Sequence, residues 1–176
     1  MHKLTLAAAF AAVAVVAAGA AQAHVTLEAA AAPIGTYKAV LRVPHGCEGE
    51  ATRKLRVQIP EGMIAVKPMP KAGWELETVT GKYAKSYDNY GTPVTEGVTE
   101  IDWTGDLPDA FYDEFVFRGT LTDSLTPGTV IYFPVVQECA TKTERWIEIP
   151  AAGQDPESLE TPAPALKLLP AAGGDD

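Results

Sequence analysis

The chain has 176 residues, with 14 basic against 23 acidic side chains and a formal net charge of −9. That length suits one domain with a real core. The acidity argues against nucleic acid or an anionic membrane surface as partner.

Residues 2–20 open with His2 and Lys3 and then run apolar through Val16, followed by Ala21-Gln22-Ala23. This is the composition of a secretory leader ending in a small-x-small cleavage site, so residues 1–23 are expected to be removed on export to the periplasm. Cleavage after Ala23 makes His24 the first residue of the mature protein, with a free α-amine beside its imidazole. Amine and Nδ1 can close a six-membered chelate ring on one metal ion, a histidine brace. Nitrogen donors of this kind favour Cu(II), which tops the Irving–Williams order. No later apolar stretch approaches the ~20 residues that span a bilayer, so the exported protein is expected to be soluble.

From residue 24 onward the chain reads as β throughout, with β-branched and aromatic runs punctuated by Gly, Pro and Asp. Strands are predicted at Val25–Glu28, Thr36–Val43, Thr52–Ile59, Met63–Pro68 and Trp74–Thr80. After a polar excursion from Tyr83 to Gly97, further strands are predicted at Thr99–Thr104, Phe111–Leu121, Thr129–Gln137 and Thr143–Ile149. No segment carries a sustained 3.6-residue apolar stripe. Short strands at this spacing predict an all-β, two-sheet sandwich over residues 24–150. Residues 151–176, rich in Ala, Pro, Gly and acid, are expected to be an extended or disordered tail, with Leu166–Leu169 able to lie along an edge.

The cysteines, Cys47 and Cys139, both lie in the exported part. An even pair in an oxidising compartment reads first as a disulfide, closing a long loop worth about 4 to 5 kcal/mol by chain entropy. A thiolate metal pair is the competing reading. Joining them requires α-carbons within about 7 Å, which would hold His45 and Glu48 beside the end of the Thr129–Gln137 strand. The short Ala140–Lys142 connection would add Trp146 to the same neighbourhood.

Several stretches together are similar to the YcnI family of exported copper-binding proteins, also known as DUF1775. They are His24-Val-Thr-Leu, Val43-Pro-His-Gly-Cys47, Val57-Gln-Ile-Pro-Glu-Gly62, Leu107-Pro-Asp with Phe111 and Asp113-Glu-Phe-Val-Phe117, Tyr132-Phe-Pro-Val-Val-Gln137, Arg145-Trp-Ile-Glu148 and Pro162-Ala-Pro164. The resemblance implies an immunoglobulin-like β-sandwich and an N-terminal histidine that binds Cu(II) through amine and imidazole, with a tryptophan near the ion. By position that tryptophan is Trp146. It further implies a periplasmic or cell-surface metallochaperone acting in copper import or homeostasis. A membrane copper transporter or another periplasmic copper protein would then be its partner. Some relatives end in a membrane anchor; this chain ends at Gly173-Gly-Asp-Asp176, so no anchor is expected. In some relatives a glutamate from the loop after the Val-Pro pair joins the metal. Here that loop reads Pro44-His45-Gly46-Cys47-Glu48, leaving the role to Glu48, to Glu28 or to His45.

Strand alternation sets His24, Thr26 and Glu28 on one face, with Glu28 roughly 13 Å from His24 at ~3.3 Å per residue. A loop residue is therefore the better co-ligand. The expected shell is the His24 amine and Nδ1 with His45, Trp146 beside the ion, and Glu48 or water completing it. Such bases bind metal when neutral, so affinity should fall through the ordinary imidazole range near about 6.5. Each residue also has a plainer role. His45 can belong to a turn, Trp146 to the core, Trp74 and Trp103 to packing, and Met63 and Met69 to gap filling. Asp113 and Glu114 read as a solvated strand end or a structural contact rather than catalytic acids. The leading functional expectation is a binding protein without turnover. A copper-dependent polysaccharide monooxygenase and a metal-free scaffolding sandwich are the alternatives.

Overall fold

The computed structural model describes residues 24–171; the expected leader lies outside them. Alternation of apolar and polar side chains builds a sandwich, with inward residues of two sheets meeting in one core. The first sheet has the order β1 (Thr26–Leu27), β3 (Gly35–Val43), β8 (Asp113–Leu121) and β5 (Met63–Pro68). Tyr37, Ala39, Leu41 and Val43 of β3 face inward, as do Phe115, Phe117 and Leu121 of β8. The second sheet runs β11 (Thr143–Trp146), β10 (Val135–Cys139), β4 (Thr52–Gln58), β7 (Thr92–Leu107) and β6 (Glu75–Asn89). It contributes Leu55, Val57, Ile101, Trp103 and Val135 to the same core. Among the described residues no helix is long and apolar enough to cross a membrane.

The all-β sandwich expectation holds, and several boundaries differ for identifiable reasons. The predicted strand Thr129–Gln137 is broken in two. Pro134 has no N–H to donate, so the ladder cannot run through it. β9 (Val130–Tyr132) joins a third small sheet while β10 joins the second. The segment expected to be a tail is corrected as well. β12 (Ala165–Leu169) is the middle strand of that third sheet, parallel to β2 (Ala31–Pro33) and antiparallel to β9. Leu166 and Leu168 are fully buried in the common core. The domain therefore runs at least to Leu169 instead of stopping at residue 150.

The expected polar excursion at 83–97 is also strand. β6 and β7 continue as a long hairpin to a turn at Tyr90-Gly91, where both residues have positive φ. A register shift between Lys82 and Tyr87 leaves a bulge. Glu61 holds it by accepting from the Ala84 N–H at 3.0 Å and the Tyr87 hydroxyl at 2.6 Å.

Candidate functional site

β1 is a two-residue edge strand, with Thr26 opposite Arg42 and Leu27 opposite Leu41. Val25 and Leu27 are buried and Thr26 is exposed, so the segment is anchored by its apolar side. His24 precedes it, half-buried, with its imidazole 5.1 Å from the indole of Trp146, centroid to centroid, tilted by 51°. Trp146 ends β11 and pairs with Val135, on the edge strand of the other sheet. The edges of the two sheets thus meet where His24 and Trp146 touch.

Trp146 is held from inside. Its indole N–H donates to Gln137 Oε1 at 3.1 Å. Gln137 donates in turn to the His45 carbonyl at 2.8 Å and to Thr52 Oγ1 at 2.7 Å. Gln137 is almost completely buried, so each partner it satisfies would otherwise be a desolvated polar group. The sequence reading gave this glutamine no role. An amide at an inward position of the alternating run Val135-Val-Gln137 was the available clue.

The Cys47–Cys139 disulfide forms as expected, with α-carbons 6.1 Å apart. It fixes the loop carrying His45 and Glu48 to the end of β10. Within that loop a Cβ on Gly46 would stand 1.8 Å from the Glu50 carbonyl oxygen, so the turn needs glycine there. Glu50 accepts from Thr141 Oγ1 at 2.6 Å and from the Thr141 N–H at 2.8 Å. These bonds, the hydroxyl's first, hold its carboxyl below the ordinary 4.5.

His45 Nδ1 lies 2.5 Å from the Gly46 carbonyl oxygen. A carbonyl only accepts, so Nδ1 donates and the neutral ring keeps its lone pair on Nε2. Glu48 is exposed and occupied by Lys142 at 2.6 Å. Glu28 is paired with Arg42 at 3.6 Å. Both carboxylates named as alternative ligands therefore already have cationic partners. Among the described residues no group of three or more His, Cys, Asp or Glu side chains is arranged to hold a metal ion. The structure brings His24 to Trp146 and ties the His45 backbone to both through Gln137.

A groove of about 370 Å³ runs beside His24, between Val25–Leu27 and Pro156, Leu159, Pro162 and Pro164. Its far wall is clamped by Glu148, which accepts from the Thr161 N–H at 2.7 Å and hydroxyl at 3.0 Å. Those bonds hold the Glu148 carboxyl below its ordinary range. Elsewhere the plainer readings apply, except that Met69 is 52% exposed and fills no gap in the core. Trp103 is fully buried 5.5 Å from Phe115, Trp74 packs edge-on to Phe115 at 4.8 Å, and Met63 is buried. Asp113 and Glu114 pair with Lys71 and Arg42.

A family model described as Domain of unknown function (DUF1775) matches residues 24–168. A solved structure, described as an uncharacterized protein from Nocardia farcinica with an immunoglobulin-like fold, is similar to this chain at 25% identity. Its TM-score is 0.59, and the match covers 83% of this chain and 98% of that one. No curated protein matches the chain at a significant level.

Proposed function

The chain belongs to the DUF1775 family of domains of unknown function, and from that premise we propose that it is an exported Cu(II)-binding protein. The His24 α-amine and Nδ1 would chelate the ion once the leader is removed. The observation that carries this reading is the seat of His24, its ring against Trp146 at the junction of the two sheet edges. The donor chemistry fits copper: a five-atom segment of one residue supplies two nitrogens, with no second chain segment needed to pre-form the bite. The indole nitrogen is committed to Gln137. Trp146 therefore offers its ring to the site, shielding one side of the imidazole and fixing its orientation, and is not a ligand.

His45 Nε2 is the side-chain nitrogen whose lone pair remains available to complete the shell, with water in the other positions. Glu48 would have to leave Lys142 to bind, so its carboxylate serves the loop first. A copper ion at a strand end can be passed on by ligand exchange, which suits a chaperone. It would deliver to, or receive from, a membrane copper transporter or another periplasmic copper protein, without turnover of its own.

The test is Cu(II) titration followed by electron paramagnetic resonance on two proteins, one beginning at His24 and one carrying an additional glycine before it. The first should bind one Cu(II) with hyperfine structure from amine and imidazole nitrogens. The second should bind far more weakly and lose the amine contribution. Equal binding by both would refute the chelate. Release of oxidised sugars from polysaccharide with ascorbate and oxygen would refute the absence of turnover.

A further inference from the structure

Cross-strand partners on the outer face of the first sheet show two contrasting rows. Near its His24 end Arg42 stands opposite Glu114 and beside Glu28, at 3.9 and 3.6 Å. The second sheet follows the same rule, with Lys54 on Asp102 and Arg56 on Glu138. Four residues along β3 from Arg42, about 13 Å at ~3.3 Å per residue, the rule fails. Lys38 stands opposite Arg118, and Arg118 stands opposite Lys67. All three are exposed, and none takes part in an ion pair among the described residues. Like charges directly opposite one another destabilise a sheet. This chain has acidic residues in excess, 23 against 14 basic, yet among the described residues none pairs with this row.

Beside the row lies an apolar shelf of about 330 Å³ floored by Pro68, Met69, Pro70 and Val116. Met69 is 52% exposed there. The bulge between Ile64 and Lys67, with Ala65 at φ 51°, turns Lys67 onto this face. β5 is the edge of its sheet, but Pro68 and Pro70 lack N–H donors, which blocks strand addition at that edge. A partner must therefore engage the side chains of the face.

We propose that this face docks an acidic segment of a partner protein, with carboxylates on Lys38, Arg118 and Lys67 and an apolar side chain on the Met69 shelf. Three cations across three strands, ~4.8 Å apart, span about 10 Å. That is wider than one phosphate or carboxylate and matches several acidic side chains of one segment. An anionic bilayer is disfavoured because the protein's net charge of −9 opposes its approach. The proposal does not depend on the copper reading.

The experiment uses the protein spanning residues 24–176 and a fluorescent peptide, acetyl-Asp-Glu-Leu-Glu-Asp-amide, read by anisotropy at low salt. Its amide counterpart, with Asn and Gln replacing the acids, is the control probe. The acidic peptide should bind about tenfold or more tighter than the control, and should be released at about 1 M salt, where screening acts over ~3 Å. The combined Lys38→Ala, Lys67→Ala and Arg118→Ala protein should lose that binding while melting at the same temperature or higher, because a repulsive row has been removed. Lys82→Ala with Lys85→Ala on the hairpin should leave binding intact. Equal binding of both peptides, or retention by the triple variant, would overturn the proposal. So would a lowered melting temperature in the triple variant. Preferential adsorption to phosphatidylglycerol vesicles through these residues would assign the face to a membrane instead. Self-association abolished by the triple substitution would assign it to a second copy, and either result would overturn the proposal.

Discussion

The His24 end of the sandwich and the β6–β7 hairpin are built on opposite principles. At the His24 end a disulfide, a buried amide with three hydrogen bonds, and two clamping glutamates converge on a few residues. The hairpin reaches Tyr90, 86% exposed, and much of its tip is held by its own ladder, the Glu61 bonds and a Tyr83–Tyr87 ring contact. Both ends are regular β structure. Only the His24 end adds a covalent bridge and a buried side-chain network that joins several strands, which is what a site of defined geometry requires. Where His24 sits is therefore better determined than the length of its strand would suggest.

The sharpest way to break this contrast is to remove the bridge. Cys47→Ser with Cys139→Ser should cost about 4 to 5 kcal/mol of stability by loop entropy, read by urea unfolding at equilibrium. A loss below about 1 kcal/mol would show the His45 loop to be held by other means. Gln137→Leu should cost about 2–4 kcal/mol, because Trp146 Nε1, Thr52 Oγ1 and the His45 carbonyl lose a buried partner together. Trp146 fluorescence should change with it, and an unchanged spectrum would separate Gln137 from the indole.

Acid should loosen the same end by a smaller amount. Glu50 and Glu148 have folded-state carboxyls held below the ordinary 4.5 by bonds from Thr141 and Thr161. Their contribution is thus present above 4.5 and lost as the pH falls through the lowered values. Thermal melts should show Glu50→Gln with Glu148→Gln flattening the fall in stability at low pH. An unaltered acid slope would contradict the clamp. At the other end, Tyr90→Ala should shift stability by less than about 0.5 kcal/mol, since its ring is almost wholly in solvent. A larger loss would mean that the hairpin tip is held as firmly as the His24 end.

Much of the sandwich is legible in the sequence because most of its strands face a core on one side only. Leu55–Val57 and Phe115–Leu121 alternate accordingly, and so does Tyr37–Val43 except at Val40, which is buried as well. The hairpin over residues 83–97 is not marked as strand in the sequence for the complementary reason: most of its side chains are exposed on both faces, Tyr87 being the buried exception, so no alternation runs along it. β12 was hidden by composition, since Leu166 and Leu168 sit in an Ala- and Pro-rich stretch and pair with β2, an Ala-Ala-Pro segment far away in the chain. At the site, cysteine parity led to the bridge and His24 was plain from its position. The carboxylates could not be sorted from sequence, because their occupation by Lys142 and Arg42 depends on tertiary pairing.

Chelation by His24 requires a cut immediately before it, since amine and imidazole must belong to the same terminal residue. Intact mass spectrometry of the protein exported with its own leader tests this directly. The expected chain begins at His24. A mature chain with any other first residue would contradict it.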